Sequence, residues 1–444
     1  MKREPKNTKG ARKDKVRETV VALYSEISMD WKNVSERIAD VFRRETTLGP
    51  RARAHVVHAL HGLITHARRI DFALEHAASR RKAAPPHSAD TRYAVWQLIS
   101  GHGTLADAAE RFPQINWQAV VDSAHAVAAI SDPVRRLAIE HSLPDWLAQR
   151  FHRDFREEAF ALAAALNERG PQTVRVNTLK TSREELLAEL NRETQSARPA
   201  VLSSAGIYFD PPRDVFKTPE YAEGLIEIQD EGSQLIAEIT APAPGSLVID
   251  ACAGAGGKTL ALGALMQGRG RLIALDINAR RLDELRRRCR RAGLSNVQAV
   301  LLPRDVDQAG WPEEIRKFIG KADRVLVDAP CSGIGAVRRN PEAKWRLSEE
   351  DLARFATLQL AIARHAAELV KPGGRLIYAT CTLLREENEQ IIEQLTGLHP
   401  VPLKEIVGRE LAEKIADSSG TCMKLLPHRT NTDGFFAAVL RRKK

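Results

Sequence analysis

The sequence contains no Cys-x-x-Cys pair. Its five cysteines, Cys252, Cys289, Cys331, Cys381 and Cys422, each stand more than 30 positions from the next. That spacing excludes a zinc ribbon or a thioredoxin motif, and no metal is expected. An odd count in a long chain suits a reducing cytoplasm, not a disulfide scaffold. No stretch approaches the ~20 apolar residues of a membrane helix. The basic N-terminus is followed by no apolar run, so it does not read as a secretory signal. A cytoplasmic protein without a membrane partner is the expectation, and nothing suggests an obligate dimer, so a monomer is expected.

What is present is an ordinary globular composition, 43% hydrophobic and 28% charged, spread over 444 residues. That length implies two or three domains. The net charge of +10 is unevenly placed. Met1–Val20 holds eight basic and three acidic residues, and Arg280–Arg291 holds seven arginines against Asp283 and Glu284. Such clusters favour a polyanion, above all nucleic acid, although a solubilising tail and a solvated helix face fit charge alone equally well.

The periodicity divides the chain. Residues 1–17 read as a mobile basic arm and 18–140 as a helical bundle, with Val56, Val57, Leu60, Leu63, Ile64 and Ala67 on one stripe. His55, His58, His61 and His66 fall opposite that stripe without a cysteine or carboxylate cluster, which reads as a solvated helix face. Residues 141–241 read as a small mixed α/β module. There Thr173–Asn177 alternates like a strand, and Ser182 caps a helix with Glu185 three positions on. Ala241-Pro242-Ala243-Pro244-Gly245 punctuates a boundary. From 242 to 444 strands alternate with helices. Strands are expected at Leu247–Asp250, Leu272–Asp276, Ala299–Leu302, Val325–Asp328, Arg375–Tyr378 and Phe435–Val439. Helices include Ala279–Ala292, Ser348–Leu369 and Glu386–Leu398. This alternation predicts a doubly wound, mostly parallel sheet.

The turn Asp250-Ala251-Cys252-Ala253-Gly254-Ala255-Gly256-Gly257-Lys258-Thr259 follows the first of these strands. Glycines there let backbone approach a ligand closely. A P-loop would need glycine where Cys252 stands, and Gly-x-Gly-x-x-Gly is absent at this turn. Asp276 ends the next strand, 19 residues after Gly257, the offset at which an acid meets a ribose diol. S-adenosylmethionine, with a diol, an adenine and a zwitterionic tail, suits Asp276, Asp305 and the Asp250–Lys258 loop.

Cys331 and Cys381 lie just past two strands, in Asp328-Ala329-Pro330-Cys331-Ser332-Gly333 and Tyr378-Ala379-Thr380-Cys381-Thr382. Cytosine C5 is a poor nucleophile. A thiolate adding to C6 turns the ring into an enamine-like species that accepts a methyl group. Asp328 is placed to face N3 and the exocyclic amine, and a second thiol can assist expulsion of the first. The plain alternative is that both cysteines are buried spacers.

These motifs, with Arg175-Val176-Asn177, Gln229-Asp230-Glu231-Gly232-Ser233, Glu387-Asn388-Glu389 and Asp433-Gly434-Phe435-Phe436, resemble the Sun/Fmu-like RNA cytosine-5 methyltransferases. The resemblance runs from about His141 to the C-terminus. It implies a Rossmann-like methyltransferase sheet preceded by an RNA-recognition-like α/β module and an all-α, NusB-like RNA-binding domain. It makes Cys381 the nucleophile and Cys331 the aid to product release. It places S-adenosylmethionine on Cys252, Ala253, Gly254, Ala255, Gly256, Gly257, Lys258, Asp276, Arg281, Asp305 and Asp328. It makes RNA the substrate, 16S rRNA first among candidates, with the basic arm and Arg280–Arg291 on phosphates. The chain departs from the family pattern at Gly254-Ala255 (Ala-Pro), Thr382 (Ser) and Arg385 (Pro). A tRNA cytosine-5 methyltransferase, a methyltransferase acting on an exocyclic amine or on protein, and a non-catalytic RNA-binding assembly factor with the same fold are the alternatives.

Overall fold

The computed structural model describes residues 8–78, 87–192, 196–304 and 310–443. It forms two compact units. One runs to Glu168 and includes the distant stretch Arg339–Ser348; the other comprises Arg169–Arg338 and the chain from Glu349 onward.

The first unit is helical. Its core gathers Val20, Leu23 and Ile27 of the helix Thr8–Ile27, the Val56–Leu60–Leu63–Ile64 stripe of Pro50–Thr65, Leu74, and Trp96 of Ala89–Ile99. The last helix starts where the Ser88 side chain accepts a hydrogen bond from the backbone N–H of Thr91, which satisfies one of the donors left open at a helix start. Three expectations need correction. Residues 8–17 are not an arm but the opening turns of the first helix, where Lys15 pairs with Glu45 at 3.2 Å and Arg17 with Asp90 at 3.3 Å. Met1–Asn7 lie outside the described residues. The helical body also continues past residue 140, through Asp145–Phe155 and Ala159–Asn167, because Leu147, Phe151 and Leu162 still carry a buried apolar face. Finally, the four histidines are half-buried, not solvated. The His58 ring lies 5.7 Å from Trp96 and 5.1 Å from His102, and His55 Nε2 is 3.4 Å from the Tyr93 hydroxyl. The helix Ala89–Ile99 packs against His55 and His58 through Tyr93 and Trp96.

Lys344 is almost fully buried in this unit. Its ammonium donates to the Thr65 carbonyl at 2.9 Å and the Asn167 side-chain oxygen at 3.1 Å. Burial lowers its pKa from 10.5 to about 7. The unfolded chain therefore binds more protons than the folded one between those values, and stability must rise with pH across that window. The Lys344→Met variant should lose this dependence. In urea titrations, wild type should gain roughly 1–3 kcal/mol relative to the variant between pH 7 and 10. Parallel curves for the two proteins would contradict the burial of this amine.

The second unit begins with a small sheet. Its strands are β1 (Gln172–Val176), β2 (Ala197–Pro199), β3 (Gly206–Phe209) and β4 (Ile226–Ile228), in the order β2-β3-β1-β4 and all antiparallel. The helix Arg183–Leu190 carries the expected capping box of Ser182 and Glu185. This is the split βαβ order of a ferredoxin-like module.

The main sheet holds β5 (Leu247–Asp250), β6 (Arg271–Asp276), β7 (Val297–Leu301), β8 (Ala322–Asp328), β9 (Val370–Thr380), β10 (Leu398–Pro400), β11 (Cys422–Leu425) and β12 (Phe435–Arg442). Its order is β10-β12-β9-β8-β5-β6-β7, with β11 pairing β12. Strands β5 to β9 are parallel and β12 runs against β9. The central strands carry continuous apolar runs, as strands covered on both faces do; Val248, Ile249, Val325, Leu326, Val327, Leu376, Ile377 and Tyr378 are all buried. The chain leaves β5 toward β6 and β7 and then returns to β8 on the other side, so the strand order reverses between β5 and β8. In such sheets ligands lie beyond the carboxyl ends at that reversal.

Candidate active site

The glycine turn leaves β5 beside that reversal. Gly254 and Gly256 adopt φ of +55° and +91°. A side chain on Gly256 would meet Leu285 at 2.8 Å, whereas nothing lies within 4 Å of a Cβ built on Gly257. The turn thus packs inward at one glycine and presents bare backbone at the other. Asp276 fastens it. One carboxylate oxygen accepts the Gly254 N–H at 2.8 Å and the other accepts the Asn278 N–H at 2.7 Å. From outside, the Arg288 guanidinium donates to the Ala255 carbonyl at 2.8 Å and is itself held by Glu227 at 2.9 Å.

That contact corrects the reading of the arginine-rich helix. Arg288 and Arg291 both pair with the buried Glu227, and Arg286 and Arg287 pair with Asp283 and Glu284 on their own helix. The helix face carrying Arg288 and Arg291 braces the turn and the small module, so those two are not free for phosphates. Where the family pattern has Ala-Pro, the turn at Gly254-Ala255 is held by Asp276 from within and by this brace from outside. The Arg288→Ala variant should therefore bind S-adenosylmethionine about tenfold more weakly by calorimetry, the scale of one lost charge-assisted hydrogen bond. Unchanged affinity would show that the turn holds its shape unaided.

A cavity of about 690 Å³ opens at these strand ends. It is lined by Cys252, Ala253, Gly254, Ala255, Gly257, Lys258, Asp276, Arg281, Asp328, Cys331 and Cys381. Every expected site residue but two therefore meets there. Gly256 packs behind the turn, and Asp305 lies outside the described residues. One end of the cavity is apolar, with Leu302, Ile362 and Trp311, whose ring stacks on His365 at 4.0 Å. Charged residues of both signs also line the cavity, among them Asp250, Asp276, Asp328, Lys258 and Arg281. Asp250 is buried, accepts the Thr259 hydroxyl at 2.7 Å and leaves Oδ1 without a partner. Burial pushes its pKa up to about 7. Apolar side chains, the Asp276 carboxylate at the end of β6 and bare backbone at the turn, all lining one cavity, fit an adenosyl group with a charged tail. Sequence reasoning missed Trp311, Ile362 and His365, because apolar residues outside the motifs carry no local signal.

The two thiols come together. Cys331 Sγ and Cys381 Sγ are 3.3 Å apart. Their loops are locked by backbone contacts: the Gly335 N–H donates to the Cys381 carbonyl at 2.9 Å, and a Cβ on Gly335 would stand 2.1 Å from the Gly434 carbonyl oxygen. The Cys331 thiol is pushed well up, first by its hydrogen bond to Cys381, then by burial and the nearby Glu387 charge. Beside them Lys258 donates to Asp328 at 2.7 Å. Burial works against the Lys258 charge, but Asp328 more than offsets it and the pKa rises.

A doubly wound sheet that carries this cavity at its reversal is the framework of S-adenosylmethionine-dependent methyltransferases. Comparisons narrow the class. The model of the 16S rRNA methyltransferase RsmB/F family matches residues 237–441, and that of the RsmF/B-like ferredoxin-like domain matches residues 143–216. The chain is 35% identical to the probable ribosomal RNA small subunit methyltransferase B of Bacillus subtilis, over 71% of this chain and 70% of that one. It is 31% identical to the ribosomal RNA small subunit methyltransferase B of Shewanella oneidensis, over 77% and 78% of the two chains. Among solved structures, a methyltransferase homolog protein from Pyrococcus horikoshii superposes with a TM-score of 0.59 at 29% identity, covering 70% of this chain and 100% of that one. The chain belongs to the RsmB/F family of 16S rRNA methyltransferases.

Proposed function

We propose that this protein transfers a methyl group from S-adenosylmethionine to C5 of a cytosine in RNA, with 16S rRNA as the substrate, through a covalent bond between Cys381 and C6. The observation that carries the reading is the pair of sulfurs 3.3 Å apart on the wall of the same cavity as the glycine turn. Methylation of an amine needs no thiol, and a non-catalytic RNA-binding protein needs neither.

The bound donor supplies an electrophilic methyl group. The residues of the chain do the rest. Sγ of Cys381 bonds to C6, and the ring electrons this displaces make C5 nucleophilic. Asp328 faces N3 and the exocyclic amine and orients the base, and the Lys258 ammonium it holds at 2.7 Å offsets the negative charge that gathers on the ring. Once C5 carries the methyl group, its proton passes to solvent water acting as base, the C–H electrons reform the C5–C6 double bond, and the C6–S bond breaks with the electron pair leaving on Sγ of Cys381 as thiolate. Cys331, which keeps its proton at neutral pH, is placed to hydrogen-bond the departing sulfur. The target base must first be unstacked to reach the cavity. Asp276, Arg281 and the Cys252–Lys258 turn hold the donor, with Asp305 expected beside the adenine. The helical unit and the ferredoxin-like module are assigned to RNA binding, and the protein acts as a cytoplasmic monomer. No described helix is long and apolar enough to cross a membrane.

The test is incubation with labelled donor and rRNA, followed by nuclease digestion and mass spectrometry. The expected product is 5-methylcytidine, resistant to bisulfite. A methyl group on an exocyclic nitrogen would contradict the reading.

A further inference from the structure

The helix expected over Glu386–Leu398 does not form as one piece. A short turn at Arg385–Glu387 is followed by a break at Asn388, with φ −120° and ψ −96°, and then by one helical turn at Glu389–Ile392. The two residues at the break, Glu387 and Asn388, are completely buried. A buried carboxyl group is costly unless its oxygens are used, and here both are. Glu387 Oε1 accepts the backbone N–H of Ser332 at 2.8 Å and the Gln359 amide at 2.9 Å. Oε2 accepts the Ser332 hydroxyl at 2.5 Å and the Thr382 hydroxyl at 3.0 Å. The same Gln359 amide donates to the Pro330 carbonyl at 2.9 Å. Asn388 grips the other side of Cys381. It accepts from the Thr380 hydroxyl at 2.6 Å and donates to the Thr382 carbonyl at 3.0 Å.

Ser332 follows one thiol directly, and Thr380 and Thr382 flank the other. Resting on the covalent reading above, we propose that Glu387 is a positioning residue, whose carboxyl group ties the Cys331 loop to the Cys381 loop and so sets the distance between the two sulfurs, while Asn388 clamps the backbone around Cys381. Neither residue touches the substrate. A carboxyl that only accepts is what this knot requires, since all four groups around it are donors. Its negative charge also opposes ionisation of Cys331, which keeps a proton on that thiol for the departing sulfur. The helix breaks at Asn388 because both side chains must turn inward from adjacent positions, which a continuous helix does not allow.

The test compares wild type with Glu387→Gln, Thr382→Val, Thr382→Ser and, as a control for the underlying chemistry, Cys381→Ala. The amide of Glu387→Gln keeps the shape but sets N–H groups against donors. It should lower kcat by roughly 10²-fold, the cost of displacing a reacting group by about 1 Å, with KM for RNA and for donor nearly unchanged. It should also move the alkaline limb of the kcat–pH profile to lower pH. Thr382→Val, nearly isosteric but without the hydroxyl, should fall in the same direction, and Thr382→Ser should restore activity. The serine–valine pair decides the question if Glu387→Gln does not fold. Wild-type kcat and pH profile in Glu387→Gln, or equal activity of Thr382→Val and Thr382→Ser, would overturn the positioning role. So would a loss shared equally by kcat, donor binding and thermal stability, which is the signature of plain structural damage. If Cys381→Ala methylates like wild type, the covalent reading fails whatever Glu387 does. If Cys381→Ala is inactive and the other variants are normal, the positioning role alone falls.

Discussion

Replacing Cys381 by alanine should reduce methyl transfer to RNA by about 10⁴-fold or more, because the proposed mechanism raises the nucleophilicity of C5 through the Cys381–C6 bond. Donor binding should survive, since the methyl-donor turn rests on Asp276 and Arg288 and not on the thiol. The measurement is single-turnover transfer of labelled methyl groups together with calorimetry of the donor. Loss of both would point to a disturbed cavity, and retention of transfer would remove Cys381 from the chemistry. The prediction is sharp because Cys331 cannot readily substitute. In the variant the hydrogen bond to Cys381 is gone, but burial and the Glu387 charge still raise the Cys331 pKa, and a protonated thiol is a weak nucleophile.

The second large effect has the opposite character. Cys331→Ala should leave the first bond formation intact and impair the last one. The variant should turn over at least about 10²-fold more slowly, while accumulating an RNA–protein adduct that persists on denaturing gels. Adding Cys381→Ala to it should abolish the adduct. The argument is geometric: the Cys331 sulfur stands 3.3 Å from the sulfur that must leave. A Cys331→Ala enzyme that turns over normally without an adduct would assign release to solvent or to another group.

Much of this site could be read in the chain before any coordinates, for a physical reason. The parallel strands carry apolar runs, three of which (β5, β6 and β8) end in aspartate, and the residues that follow their carboxyl ends are brought to one edge whatever the loops do. Asp250, Asp276, Asp328, Cys331 and Cys381 were all legible on that basis, and so was the capping box at Ser182. The edge strands were not. β10 and β11 are three and four residues long and follow β9 out of spatial order, so no local period marks them. Long-range partners were equally silent. The sequence shows seven arginines on one helix but not that Glu227, from the small module, consumes two of them. It shows four histidines on a helix face but not the Tyr93 and Trp96 rings that pack against His55 and His58. The break at Asn388 was missed for the same reason. Glu386–Leu398 has helical composition, and only the four donors around Glu387, three of them distant in sequence, pull the chain out of the helix.

The most direct test of the account is to digest the adduct trapped by Cys331→Ala with trypsin and nuclease and locate the bound nucleotide by mass spectrometry. The account predicts a cytosine joined to the peptide containing Cys381, through sulfur, with a methyl group already on C5. A nucleotide joined to Cys252, Cys289 or Cys422, or a methylated RNA released with no protein-bound species at any time, would contradict it.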